Sequence, residues 1–226
     1  LSSSSSSLQI GTTATFGTEI DAGENNENQF IQAPTPTNNE RFGHKVKISG
    51  NYLAVGTDKD QNGSVYIYYK NQATGVYAHQ KTIAIPSDIE DTDSRFGSFL
   101  DISDNYLAIG APWYPSGSSG GSYIDYGRAY LYKRAGTNWE LIKTFIPTDA
   151  PLNITTQQAM FGHDISLDGD FLVIGSQEAN VSFDGSGKAY IYEKNYGGTD
   201  NWGHIKTLAY PGSNEDSVDD NFNERF

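Results

Sequence analysis

The chain has 226 residues, and 15 Lys and Arg stand against 28 Asp and Glu, for a formal net charge of −13. That balance argues against nucleic acid as a partner, because neutralising phosphates takes a basic surface, and it favours solubility and cationic or basic partners. Cysteine is absent, so there is no disulfide framework and no thiolate metal site, and no apolar run reaches the ~20 residues of a membrane span.

Residues 1–27 open on a nearly pure serine run and continue Asn- and Gly-rich, as a linker or glycosylated stalk would. No signal peptide is visible, and the sequence reads as mature, trimmed or partial. From Gln29 the pattern changes. Gln29-Phe30-Ile31-Gln32-Ala33-Pro34 matches the apolar-then-proline segments Ile83-Ala84-Ile85-Pro86, Phe145-Ile146-Pro147 and Leu208-Ala209-Tyr210-Pro211. Each of those three closes a longer repeat, so 28–34 is expected to be the last strand of a preceding repeat.

Three full repeats follow, at 41–86, 95–147 and 160–211, and Arg225-Phe226 starts a further one. Each begins with Phe-Gly (Phe42-Gly43, Phe96-Gly97, Phe161-Gly162) and carries a second glycine fourteen residues after the Phe, at Gly56, Gly110 and Gly175. Each repeat reads as four strands. The first alternates with period two, Phe42, His44, Val46 and Ile48 on one face and Lys45 and Lys47 on the other. Ser49-Gly50-Asn51, Ser103-Asp104-Asn105 and Asp168-Gly169-Asp170 supply tight hairpins. The second strand, Leu53-Ala54-Val55 in the first copy, is apolar on both faces, as a strand between two neighbouring sheets would be. The third is aromatic and β-branched, Val65-Tyr66-Ile67-Tyr68 and its counterparts. The fourth carries Trp139 or Trp202, expected as packing residues, and ends at the proline.

No segment has useful helical periodicity, so the chain is all-β. Four-stranded antiparallel units at this period predict the blades of a β-propeller, about three of them and part of a larger ring. A β-sandwich with coincidental internal similarity is the rival architecture. Three blades and a stray strand fall short of the ~4–8 that close a propeller.

The repeated Phe-Gly heads, with Ile109-Gly110-Ala111-Pro112 in the second copy, resemble the FG-GAP repeat of integrin α-subunit propellers and their microbial relatives. Val55-Gly56-Thr57-Asp58 and Ile174-Gly175-Ser176-Gln177 are looser versions, and Gly127–Arg134 followed by Trp139 looks like the third and fourth strands of microbial repeats. The resemblance spans roughly 28–226. It implies a seven-bladed propeller, extracellular placement, and adhesion or ligand binding, usually without catalysis. The calcium loop common in integrin-type repeats is not carried over, because only a tight turn joins strands one and two here.

In such a meander the two-to-three and four-to-one connections share one end of the blades. The two-to-three loops vary most in length, and the same end is expected to collect acid, from Asp58 and Asp60 through Asp88, Glu90, Asp91 and Asp93 to Glu215, Asp216, Asp219 and Asp220. Variable loops on a rigid scaffold suit binding a protein or carbohydrate ligand, or self-assembly. Asp58, Asp60 and Asn62 fit the first half of a Ca²⁺ loop with Gly63 at the turn, though Tyr69 stands where the bidentate Glu belongs; an ordinary polar hairpin loop is the alternative. Trp113, Tyr114, Tyr123 and Tyr126 lie in the longest loop and are expected either to stack on a ligand or to fold back on the blade edge. Asn62, Asn153 and Asn180 head N-glycosylation acceptor triplets. His44 and His163 are expected to be structural. No nucleophile-base-orienter set is legible. The sequence therefore reads as a non-catalytic extracellular binding or structural module, with a carbohydrate-active propeller enzyme whose catalytic residues lie elsewhere as the alternative.

Overall fold

The computed structural model describes residues 29–58, 63–86, 94–103, 105–119, 122–147, 159–177 and 187–209; within 115–125 it describes the backbone. The chain divides into two compact units, Leu1–Ile31 and Gln32–Phe226. Of the first, only residues 29–31 are described, in no regular element. Every strand among the described residues lies in the second unit.

Its strands are β1 (Lys45–Ser49), β2 (Tyr52–Gly56), β3 (Ser64–Lys70) and β4 (Tyr77–Ala84); β5 (Phe99–Ser103), β6 (Tyr106–Ala111), β9 (Arg128–Ala135) and β10 (Asn138–Phe145); and β11 (Phe161–Asp168), β12 (Phe171–Ser176), β13 (Lys188–Glu193) and β14 (Gly203–Ala209). Between β6 and β9 come β7 (Pro115–Ser119) and β8 (Ser122–Asp125), a hairpin that the Gly- and Ser-rich sequence did not announce. The strands form three four-stranded sheets, each antiparallel in chain order, here called blades 1, 2 and 3. The expected blade architecture is therefore present. The expected strand at 28–34 is not: Gln32–Pro34 lie in none of the sheets, and without a ladder partner an apolar stretch does not become a strand.

Local chemistry explains the blades. The β1–β2 register pairs Ser49 with Tyr52, leaving the two-residue turn Gly50-Asn51, where Gly50 has φ 56°; Gly169 takes the same role at φ 54° between β11 and β12. In all three blades the third and fourth strands slip by one residue at the same place, after Ile67, at Leu141 and after Ile191. That shared bulge adds twist at the outer edge.

The Phe-Gly pair is the centre of a turn. Its first residue has positive φ although it is not glycine (Arg41 50°, Arg95 51°, Met160 52°), and its glycine stands at 93°, 93° and 92°. The amide three residues on donates back to the first carbonyl, at 3.1 Å in each copy (His44 to Arg41, Ser98 to Arg95, His163 to Met160). The third position of such a turn demands positive φ, which is why glycine follows phenylalanine. The turn's glycine amide then donates to the carbonyl ending the second strand, Gly43 to Gly56 at 3.2 Å and Gly97 to Gly110 at 3.1 Å. That bond ties the two ends of the repeated motif together and fixes their spacing.

Blades pack face to face. One core joins Ala54, Val65 and Ile67 of blade 1 to Leu100, Ile102, Leu107 and Ile109 of blade 2. A second joins Ala108, Ala129 and Leu131 of blade 2 to Ile165, Leu167, Leu172 and Ile174 of blade 3. β6 is buried along its whole length, as expected for a strand with a blade on each side. Close approach is set by glycine: a Cβ built on Gly56 would overlap the carbonyl oxygen of Gly97, and one on Gly110 that of Gly162. So in blades 1 and 2 the second glycine of the motif receives the Phe-Gly turn of the next blade.

The first strand of blade 1 corrects the sequence reading. Its alternation holds, but Val46 and Ile48 are 55% and 61% exposed, while Lys45 and Lys47 are half-buried. Their counterparts Leu100, Ile102, Ile165 and Leu167 are buried because a preceding blade covers them. Burial of that face is a property of the stack and not of the strand.

Candidate functional site

The strand ends from which the two-to-three and four-to-one connections leave lie at one end of each blade, as an antiparallel meander requires. Asp58 lies at this end with its side chain 9% exposed. Its Oδ2 accepts from Arg41 Nη1 at 2.9 Å and its Oδ1 from Ser98 Oγ at 3.2 Å; Arg95 Nη1 and His44 Nδ1 each stand 3.8 Å away. Arg41 and His44 belong to blade 1, Arg95 and Ser98 to the head of blade 2. The carboxylate therefore ties two successive Phe-Gly turns together. Two guanidinium groups beside it do not suit a divalent cation, so Asp58 does not fit the expected Ca²⁺ loop. Asp60 and Asn62 lie outside the described residues, as do Asn153 and Asn180. Among the described residues no group of three or more His, Cys, Asp or Glu could hold a metal ion.

Two aromatics of the longest loop, Trp113 and Tyr114, turn inward. Tyr114 is buried in the core between blades 1 and 2, and the Arg128 guanidinium lies 3.9 Å from its ring centroid. Trp113 is half-buried under Arg95, whose guanidinium is 3.5 Å from the indole. Such stacks contribute about 1 kcal/mol each when partly desolvated. Of the two readings of these rings, folding back on the blade is the one observed for Trp113 and Tyr114. Tyr126 is half-buried, and its carbonyl accepts from Phe161 N at 2.9 Å; Tyr123 is described by its backbone alone, within β8. Gly127 bridges to Phe161 in parallel, so the base of the loop is stitched to the head of blade 3. The β7–β8 hairpin springs from this base and makes its main contacts within itself.

Other polar groups sit in inter-blade contacts that sequence reasoning missed. Asp200, in the long turn between β13 and β14, accepts from Tyr106 Oη at 2.7 Å, Lys133 Nζ at 2.5 Å and Trp202 Nε1 at 3.1 Å. Burial alone would push its carboxyl up, but hydrogen bonds from Lys133, Tyr106 and Trp202 and the charge of Lys133 outweigh it and hold the group below its usual value. At the blade 1 face, Tyr66 hydrogen-bonds Glu40 and Tyr68 donates to the carbonyl of Gln32 at 2.7 Å. Burial and then the Glu40 carboxylate raise both phenols, Tyr68 to about 12. A nine-residue connection, 194–202, in place of a tight turn was the only hint of the Asp200 contact, since nothing in sequence says where such a loop reaches.

The histidines and tryptophans behave as structural residues. His163 stacks on Phe99 with centroids 4.4 Å apart, and His79 and His204 each pack against two tyrosines of the neighbouring third strand. His44 is exposed apart from its approach to Asp58. Trp139 and Trp202 are buried at the two inter-blade cores. No helix among the described residues is long and apolar enough to cross a membrane.

Two stretches, residues 26–68 and 155–192, match the family model described as FG-GAP repeat. They cover the first three strands of blades 1 and 3. The middle blade lies outside the match, yet its Phe-Gly turn has the same backbone and hydrogen bonds. No curated protein matches the chain.

Proposed function

The chain carries FG-GAP repeats, and from that premise we propose that it is a non-catalytic extracellular binding module, of the kind found in cell-surface, adhesion or filament-associated proteins. It presents the loop end of its blades to a protein or carbohydrate ligand. The observation that carries this reading is the β7–β8 hairpin standing on a base fixed by the Arg95–Trp113 and Arg128–Tyr114 stacks. A variable loop on a braced scaffold can be altered without disturbing the core, which is how binding loops work. The groups with displaced pKa values fall mainly in two separate places, Tyr66, Tyr68 and His79 in blade 1 and Tyr106, Lys133, Lys194 and Asp200 at the contact of blades 2 and 3, where they hold segments and blades together, and this division supports binding over catalysis.

The test replaces residues 115–125 with a short Gly-Ser turn and screens both proteins against glycans and extracellular proteins, with product detection. Saturable binding by the parent, lost in the replacement while thermal unfolding is unchanged, is the expected result. Product formation by the parent overturns the non-catalytic reading, and equal binding by both proteins overturns the role of the hairpin.

A further inference from the structure

Two cations of this acidic chain are held at the loop end by consecutive residues of one turn. The Arg95 guanidinium carbon lies 3.5 Å from the centre of the Trp113 ring, and that of Arg128 lies 3.9 Å from the centre of the Tyr114 ring. At such distances no nitrogen fits between the carbon and the ring, so each guanidinium plane lies along its ring and its N–H groups point sideways. The turn itself is fixed. Trp113 N donates to the carbonyl of Ser94 and Gly127 N to that of Tyr114, each at 3.3 Å.

Neither guanidinium is fully engaged by the chain. Among the described residues that of Arg128 meets Tyr114 and no carboxylate or hydrogen-bond acceptor. Arg95 stands 3.8 Å from Asp58, beyond hydrogen-bond range, and Asp58 is already taken by Arg41 at 2.9 Å and Ser98 at 3.2 Å. The Nε of both arginines is buried without an acceptor, so the end that each can offer a ligand is its Nη1–Nη2 pair. The Arg95 side chain is 28% exposed and Arg128 is half-buried. A flat, permanently charged group with two terminal nitrogens side by side best matches a planar carboxylate, taken through two parallel hydrogen bonds.

The neighbourhood says what carries that carboxylate. The β7–β8 hairpin, which springs from the same turn, has four serines and Tyr123 against Ile124 as its one large aliphatic residue. Those hydroxyls suit sugar, and the large apolar anchors that carry protein contacts are missing from the hairpin. A net charge of −13 repels a densely charged polyanion far more than it repels isolated sugar carboxylates. We propose that Arg95 and Arg128, laid on Trp113 and Tyr114, form a subsite for the carboxylate of an acidic sugar residue, a uronic or sialic acid, in a glycan bound at this end of the blades. The proposal rests on the binding-module reading above and adds the ligand class to it.

Titration calorimetry of the whole chain tests this with oligogalacturonate, oligoalginate, a hyaluronan fragment and sialyllactose, each beside its carboxyl-reduced counterpart. At least one acidic probe is expected to bind, its reduced counterpart at least about tenfold more weakly, and the preference to shrink as salt is raised. Arg128→Gln is expected to cut the preference to about threefold or less, and Arg128→Lys, which keeps the charge but loses the fork, to restore part of it. A purely structural role for Arg128 would weaken both forms together and leave their ratio unchanged, and that result overturns the proposal. So does a parent that binds no acidic probe, or one that binds a Glu-rich peptide or dextran sulfate more tightly than every acidic sugar. Replacement of residues 115–125 separates the two readings. Binding of a neutral glycan that is lost on replacement and shows no preference for acid keeps the module and removes the arginine subsite. A preference for acid that survives replacement supports the arginine subsite and removes the hairpin from the binding role.

Discussion

The contacts between blades 1 and 2 and between blades 2 and 3 share one frame and differ in how it is fastened. Both have the glycine that admits the next turn, two aliphatic residues of the arriving first strand, and an aromatic pair on the far side, Tyr52 with Trp139 or Tyr106 with Trp202. In the first contact the larger polar cluster is at the loop end, where Asp58 gathers Arg41, Arg95 and Ser98, while Lys47 pairs with Asp101 at 3.2 Å between the first strands. In the second, Pro112 stands where Asp58 would, and the fastening moves to the other end, where Asp200 gathers Tyr106, Lys133 and Trp202. Loop length decides which. The turn between β9 and β10 is only Gly136-Thr137, too short to cross to blade 1, whereas residues 194–202 between β13 and β14 reach blade 2. Apolar stacking and glycine contact are thus the constant element, Asp101 of β5 links to both neighbours through Lys47 and the Leu167 amide, and the larger charged clusters are added where a connection can reach.

The largest expected effect separates a stacked blade from an open one. Phe161 is fully buried, its ring edge-on to Tyr190 at 5.1 Å, while Phe42 makes the same kind of contact with Tyr66 at 5.6 Å but is half-buried. Phe161→Ala should cost about 4 kcal/mol and Phe42→Ala less than half of that. Denaturant unfolding of the two variants checks the ratio, and equal losses would mean that the stack adds nothing to the turn.

Next comes close approach. Gly110→Ala sets a methyl group against the Gly162 carbonyl, with the backbone-bound Phe99 Cβ 3.2 Å away, and should cost about 3 kcal/mol. Gly175→Ala meets nothing closer than 3.5 Å and should change unfolding of the single chain by less than about 0.5 kcal/mol. The comparison fails if the two substitutions are equally costly in dilute solution.

A smaller difference concerns the tryptophans. The Trp202 indole N–H donates to Asp200 at 3.1 Å, whereas that of Trp139 is buried with no acceptor. Leaving such a donor unmet costs about 1–3 kcal/mol. Replacing each indole by phenyl should therefore be cheaper at 139 than at 202, by about 1 kcal/mol, since Trp139→Phe removes an unmet donor and Trp202→Phe a satisfied one.

Much of this frame was legible because it is periodic. Phe-Gly with a second glycine at fixed spacing, hairpin dipeptides and the Tyr-rich third strand each repeat three times, and a repeated pattern reports a repeated environment. What was hidden depends on neighbours. Val46 and Leu100 hold matching places in their strands and opposite exposures, because one lacks a covering blade. For Trp113 and Tyr114 the sequence left ligand stacking and folding back equally open, because the arginines that take them, Arg95 and Arg128, are distant in sequence or placed on a strand. Asp58 satisfied the pattern of a cation loop, and only the convergence of Arg41 and Arg95 revealed another use.

Acid is the gentlest way to tell the two fastenings apart. The Asp200 carboxyl titrates below its ordinary 3.8 in the folded chain, because the hydrogen bonds from Lys133, Tyr106 and Trp202 outweigh the cost of burial. A carboxyl whose folded value is depressed contributes stability above its unfolded pKa and loses it as the pH falls through the folded value. The contribution should be complete at neutral pH, start to fade near pH ~4 and be gone below the folded value. Part of the group meets solvent, so about 1 kcal/mol is the expected size. Asp200→Asn should therefore destabilise the chain at pH 7 and match the parent once the carboxyl is protonated. Unfolding curves over that range give the difference directly. A gap that persisted undiminished in acid would assign the loss to the reshaped turn and remove the charge from the account of how blades 2 and 3 are held.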